Sequence, residues 1–453
     1  MNPKVIIIGC THAGVAAIEQ ILKYYPQAEI SVFERHNTIS YLSCGTYLTL
    51  ENVISSIDET VYADPAYFSE KGVDMRLRHD VININTDEKT VLVQNLETKE
   101  FSTEPFDKLI MATGSLTAIP AIQGVENTKV KLCKTYEEAH DLCVTEQDKK
   151  RIAIIGGSYV GVELAEGYRK SDHDVTLFHQ ESTLLDKYVE PKTAQRIQEL
   201  LVAQGVKVKS DTSATSFEDG PDNSLIVKTE EVDYEVDMAV ICTGLIPQTD
   251  LLQGEVDQLD NGAIIVDDYM QTSNPDIFAA GDAATVKYNN LQTNAYIPLA
   301  SHAIRQGALA GINVLDRRLR SIGSQATTGM LLFGYTLAVS GATKAAALAA
   351  GFNADCVTYE GSYRPDFMPE AHTVRIELVY DRNTRKVLGV QLLSKHDVSQ
   401  AADTISTLMQ YNGTIDELAF MDMLFSPNFN QSFNYLNFAG QLAVEQEQGY
   451  LRT

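Results

Sequence analysis

Positive charge is scarce in this sequence: 36 Lys and Arg stand against 61 Asp and Glu in 453 residues, a formal net charge of −25. A surface that acidic repels phosphate backbones and anionic lipid, which argues against nucleic acid and membrane surfaces as partners. Long apolar runs are missing too. None reaches the roughly 18 residues that a transmembrane helix needs. The opening MNPKVIIIGC carries an apolar stretch shorter than the roughly 7–15 residues of a signal-peptide core, with no cleavage site after it. The six cysteines, at 10, 44, 133, 143, 242 and 356, form no CxxC pair and no zinc spacing. Neither a disulfide scaffold nor a metal site is expected, and a reducing cytoplasm is. Low-complexity and Pro-rich linkers are also absent, so the units should pack rather than string out. At about 150 residues per domain the length predicts roughly three, and 44% hydrophobic residues can give each a core.

One unit occurs twice. KVIIIG (Lys4–Gly9) is a continuous apolar run of the kind buried on both faces of a parallel sheet. A tight turn follows, then Val15, Ile18, Ile21 and Leu22 at helical spacing, Pro26 as a stop, and the strand EISVFE (Glu29–Glu34). The second copy begins at Arg151 with RIAIIGG, continues as SYVGVELAEGYRK and then DVTLFHQ. Two such βαβ units define two nucleotide-binding domains in an α/β protein. Val81–Val93 reads as a β meander. Asp107–Ser115 and Asp237–Gly244 read as a buried strand in each copy. The tail mixes strands with two helical stretches.

Each turn carries a degenerate phosphate-binding fingerprint. The first is Gly9-Cys10-Thr11-His12-Ala13-Gly14 and the second Gly156-Gly157-Ser158-Tyr159-Val160-Gly161. A middle glycine would let the backbone approach a pyrophosphate at the helix N-terminus; Thr11 and Ser158 stand there instead. Glu34 ends the next strand, where an acid takes a ribose hydroxyl. In the second copy that place belongs to His179, followed by Gln180. Neither repels a 2′-phosphate as a carboxylate would, so NADH and NADPH both stay open. TSNPDIFAAGDAA (Thr272–Ala284) ends a strand at Gly281 and places Asp282 to bond a polyhydroxyl chain.

With these pieces in this order, the chain resembles the flavoprotein pyridine nucleotide-disulfide oxidoreductases, in the branch of water-forming NADH oxidase and NADH peroxidase. GCTHAG with His12, ISYLSCG (Ile39–Gly45) and FSPNFNQSFNYLN (Phe425–Asn437) carry the likeness to that branch. The resemblance implies two Rossmann-like domains, with an FAD domain (1–117 and 246–325) split by an NAD(P)H domain (118–245). A C-terminal α+β interface domain (326–453) would make a homodimer, its last segment reaching the partner's active site. The FAD site would add Arg35, Val81, Ala112-Thr113-Gly114, Lys134 and Ala300 to the first fingerprint, Glu34 and Asp282. The NAD(P)H site would add Glu163, Tyr188 and Gly244 to the second fingerprint and His179. In relatives the residue matching Tyr159 covers the flavin until nicotinamide displaces it, and the one matching Glu163 bonds the carboxamide.

Most of the wider superfamily has CxxxxC where this chain has a single cysteine, Cys44, with Ile39 and Thr49 five residues to either side. A lone thiolate can attack a peroxide and persist as a sulfenic acid when no second thiol condenses with it. A helix starting just after Cys44 is expected to lower its pKa. The resemblance sets His12 beside Cys44 and the flavin. Together these imply an NAD(P)H oxidase that reduces O2 to water. NADH peroxidase and coenzyme A disulfide reductase remain as alternatives, with a flavin-bearing redox sensor as the non-enzymatic one.

Overall fold

The structure is a computed structural model that describes residues 2–145 and 148–449. Val5, Ile6, Ile7 and Ile8 are all buried, and β-branched side chains on both faces make strand β1 (Lys4–Ile8) the centre of a sheet. That sheet is parallel, in the order Ile277–Ala279, Lys108–Met111, β1, β2 (Glu29–Glu34), Asp74–Leu77. Helix α1 (His12–Tyr24) lays Val15, Ile18 and Ile21 into the core on one face of it. The expected meander is a three-stranded antiparallel sheet of His79–Asn85, Thr90–Asn95 and Phe101–Pro105.

The second copy repeats the plan. Strand β3 (Arg151–Ile155) leads into helix α2 (Tyr159–Lys170) and strand β4 (Asp174–Phe178). Its five-stranded parallel sheet runs Lys207–Lys209, β4, β3, Met238–Ile241, Val130–Lys131. The chain then rejoins the first sheet through Ile277–Ala279, which pairs with Lys108–Met111. Helix α3 (Ala300–Asn313) packs against α1 at very short range. A Cβ on Gly307 would lie 2.2 Å from the Ala13 carbonyl oxygen, and one on Gly311 2.5 Å from that of Ala17.

The C-terminal part is a five-stranded antiparallel sheet, Thr328–Leu332, Tyr335–Gly341, Val387–Ser394, Thr373–Asp381, Ala354–Ser362. The described residues carry four helices here rather than two: Lys344–Ala349, Ser399–Gln410, Ile415–Phe420 and Tyr435–Gln448. Two of these span six residues each, too short to display a 3.6-residue period. Among the described residues no helix is long and apolar enough to cross a membrane.

Candidate active site

A cavity of about 400 Å3 opens at the C-terminal ends of β1, β2 and Lys108–Met111, where parallel α/β sheets hold their ligands. Gly9 and Ala13 form its floor with Thr11 and His12. Gly9 has φ +93°, and a Cβ there would sit 2.3 Å from the Ala112 carbonyl oxygen. Gly14 lies behind this surface, where a Cβ would meet the Gly9 carbonyl oxygen at 2.1 Å, so the helix start presses on the strand end. Thr11 makes no side-chain cap bond, which leaves the first N–H groups of α1 to an anion. At the far end Glu34 is buried, accepting from the Cys10 N–H (2.7 Å) and the His36 N–H (2.9 Å). Burial raises its pKa and those two donors pull it back. Arg35 reaches Asp80 at 2.8 Å, and Val81 lines the same wall.

The opposite wall is a polar hub. Asp282 accepts from the Ser115 hydroxyl (2.7 Å) and pairs with Lys134 (3.0 Å). Ala112, Thr113 and Gly114 run alongside, with the Thr113 hydroxyl donating to the Gln248 carbonyl at 2.5 Å. Lys134 is electrostatically coupled to both His12 and Cys44, lowering the pKa of each. His12 opens α1 and is 8% exposed. Its Nδ1 lies 2.7 Å from the Tyr62 hydroxyl, and the rings stack within 4°. Its Nε2 is buried with no partner. Burial first, then Lys134, holds the ring below its usual pKa, with Asp282 acting in the opposite sense.

Cys44 corrects one expectation. It sits in a 3-10 turn, Ser43–Gly45, ahead of a helix of only five residues, Thr46–Leu50. The thiol is pushed up, not down: burial is the main cause and Glu163 adds to it, against its own backbone N–H and Lys134. The residue is nevertheless open to solvent, so protein crowds it on one side only. A single helical turn has too small a dipole to outweigh that crowding. Neighbouring Ser43 and Tyr41 line the cavity. All six cysteines are free. Ala300 begins α3 outside the cavity lining, where Ala303 stands instead.

In the second copy Gly156, at φ +115°, lies against the Cys242 carbonyl, and Gly161 against that of Gly156. Ser158 caps α2, accepting from the Gly161 N–H (3.3 Å) and donating to the Cys242 carbonyl (2.8 Å). Val160 is exposed on the first turn. The Tyr159 ring packs 4.8 Å from Tyr188, with its hydroxyl buried and unpartnered. One turn on, burial, Glu166 and Glu51 push Glu163 up to about 8. His179 accepts from the Gly157 N–H at 3.1 Å. The Gly244 carbonyl accepts from the Ala118 N–H at 2.9 Å.

Among the residues that the sequence did not single out are Ser115 and Gln248, which line the cavity, and Tyr62, which holds His12 from behind it. Ser115 follows directly on Gly114 and could have been found by extending that motif. Tyr62 lies 50 residues from His12 in a segment without a motif, so nothing in the sequence joins them.

Two dinucleotide-sized folds flanking a hub of His, Lys and a lone thiol define a nucleotide-dependent redox protein. The chain belongs to the pyridine nucleotide-disulphide oxidoreductase family: residues 3–307 match the family itself and residues 327–436 its dimerisation domain. Membership implies a flavin and a pyridine nucleotide. NADH oxidase of Enterococcus faecalis is 41% identical over 445 residues, 98% of this chain and 99% of that protein. The structure of water-forming NADH oxidase from Lactobacillus brevis bound to NADH superposes with a TM-score of 0.97 at 43% identity, over 99% of this chain and 100% of that one. An engineered water-forming NADPH oxidase derived from it, bound to NADPH, gives the same TM-score, identity and coverage.

Proposed function

We propose that this chain is an FAD-dependent NAD(P)H oxidase that reduces O2 to water. The observation that carries the reading is the setting of Cys44: a lone, solvent-open thiol beside the cavity wall, in electrostatic contact with the same Lys134 that serves His12 and Asp282. The cavity fits FAD by three features: a floor that tolerates no Cβ at Gly9, a buried carboxylate at Glu34 for a ribose, and an orphaned nitrogen on His12. The first fingerprint, Asp282 and Lys134 would hold it. FAD supplies, when bound, an acceptor for hydride and a reductant for O2.

The chain's own residues do the rest. Tyr159 closes the nicotinamide approach against water, and Tyr188, packed on its ring, faces the adenosine half of the coenzyme. Tyr62 holds Nδ1 of His12, so the ring presents Nε2 to a peroxide oxygen. The Cys44 thiolate attacks the distal oxygen of peroxide: an S–O bond forms, the O–O bond breaks, and the departing hydroxide takes a proton from solvent to leave as the first water. The resulting sulfenic acid takes the hydride equivalent of a second NAD(P)H, two electrons and a proton, returns to thiolate and releases the second water. Lys134 stabilises the anionic sulfur at both ends of the cycle.

The same reading assigns 1–117 and 246–325 to FAD, 118–245 to NAD(P)H and 326–453 to a homodimer interface, in a cytoplasmic enzyme. The exposed aromatics Phe420, Phe425, Phe429 and Phe433 support that interface. Oxygen uptake with and without catalase tests the activity. The oxidase consumes one O2 per two NADH and leaves no H2O2, whereas a peroxidase consumes NADH only when H2O2 is supplied. Cys44→Ser should still oxidise NADH and release H2O2; unchanged production of water alone would overturn the role of the thiol.

A further inference from the structure

The two fingerprint turns are closed by different side chains. In the first, Glu34 accepts from the N–H of Cys10, the second residue of the turn. In the second, His179 accepts from the N–H of Gly157, the residue at the same place, through Nδ1 at 3.1 Å. Accepting at Nδ1 puts the ring proton on Nε2. Nε2 then donates to Oδ1 of Asp186 at 3.3 Å. The imidazole is therefore spent on two internal bonds, and the carboxylate that normally ends this strand is supplied from seven residues further along the chain.

The loop carrying Asp186 is pinned. Leu184 and Leu185 are fully buried, and the Leu185 N–H donates to the Gly157 carbonyl at 2.9 Å. A Cβ on Gly157 would lie 2.6 Å from Leu184 and 3.0 Å from the His179 ring. The absent side chain is what lets loop, ring and turn meet. Asp186 remains 31% exposed at this junction while His179 is 11% exposed, so the carboxylate, not the imidazole, is offered to a ligand. Glu181 adds a second carboxylate two residues after His179. Lys187 is the cation adjacent to Asp186 in the chain.

We infer that Asp186, oriented by His179, sets the choice between coenzymes: it accepts a hydrogen bond from the adenosine 2′-hydroxyl of NADH and repels the 2′-phosphate of NADPH. His179 is a positioning residue. This rests on the reading of the second copy as the NAD(P)H site.

The test measures kcat/KM for NADH and NADPH on the FAD-loaded enzyme, together with calorimetric dissociation constants for NAD+ and NADP+. The wild-type protein should favour NADH by about 100-fold or more, and Asp186→Asn should narrow that ratio by about 10-fold or more, chiefly through KM. His179→Ala should narrow it as well, while His179→Asn, able to accept from Gly157 and donate to Asp186, restores most of it. An unchanged ratio in Asp186→Asn, or a wild-type preference for NADPH, overturns the inference and leaves the oxidase reading standing. Failure of both NAD+ and NADP+ to bind overturns the nucleotide-site reading, and the inference with it.

Discussion

The hydroxyl of Tyr62 lies 2.7 Å from Nδ1 of His12, with the two rings parallel within 4°. The phenol comes from a stretch of chain anchored by Ser40, whose hydroxyl accepts from the N–H groups of Tyr62 and Ala63. It fixes which nitrogen of His12 is left for the cavity. Tyr62→Phe keeps the stacking and removes the hydroxyl. We expect kcat to fall about 10-fold at unchanged flavin content, measured by steady-state oxidation of NADH and by visible flavin absorbance. Wild-type kcat in this variant would show that the contact is only packing.

His12 itself gives a pH dependence. Its folded pKa lies below the ordinary 6.5 because burial and Lys134 disfavour the cation. Between the folded value and 6.5 the unfolded chain binds more protons, so the stability the neutral ring contributes is full above 6.5 and is lost as pH falls through that window. His12→Asn should flatten the decline of melting temperature on the acid side. A slope identical to wild type would contradict the assignment.

Glu163 acts in the opposite direction. Its carboxyl is raised from 4.5 to about 8, so the folded protein holds a proton that the unfolded chain releases. The stability from this group is full below 4.5 and lost as pH rises through about 8. Glu163→Gln keeps the shape without the titration. Thermal unfolding should place it about 2–4 °C above wild type at alkaline pH, with the difference vanishing in acid. A gap of the same size at every pH would mean that packing, not ionisation, is responsible.

Gly9→Ala tests the cradle. The substitution forces a side chain into φ +93° and against the Ala112 carbonyl, at a cost of about 1–3 kcal/mol in backbone strain alone. Purified protein should be colourless or nearly so, with a lowered melting temperature. A fully yellow, equally stable variant would place the flavin elsewhere.

Much of this architecture is legible in the sequence because buried parallel strands are nearly uninterrupted apolar runs. Glu29–Glu34 was read as a strand and is one, with the same ends. Fingerprints are legible because backbone approach to a phosphate needs glycine at fixed offsets. Surroundings assembled from distant segments are not. Tyr62 reaches His12 across 50 residues, and the crowding that lifts the Cys44 thiol comes partly from Glu163 on α2. The short helix after Cys44 misled for a related reason: local pattern announced a helix start, while its length depends on packing against the second copy. Asp186 was invisible because a His in place of an acid looks like a loss until the loop beside it is seen.

The pairing of Ile277–Ala279 with Lys108–Met111 joins positions 168 apart. A ribosome adding roughly 5–20 residues per second leaves that edge bare for roughly 10–30 seconds, while the whole second copy emerges. The newborn chain must therefore make its middle before it can seal its beginning, and a product cut short ahead of Ile277 would carry an open β edge free to pair with a neighbour.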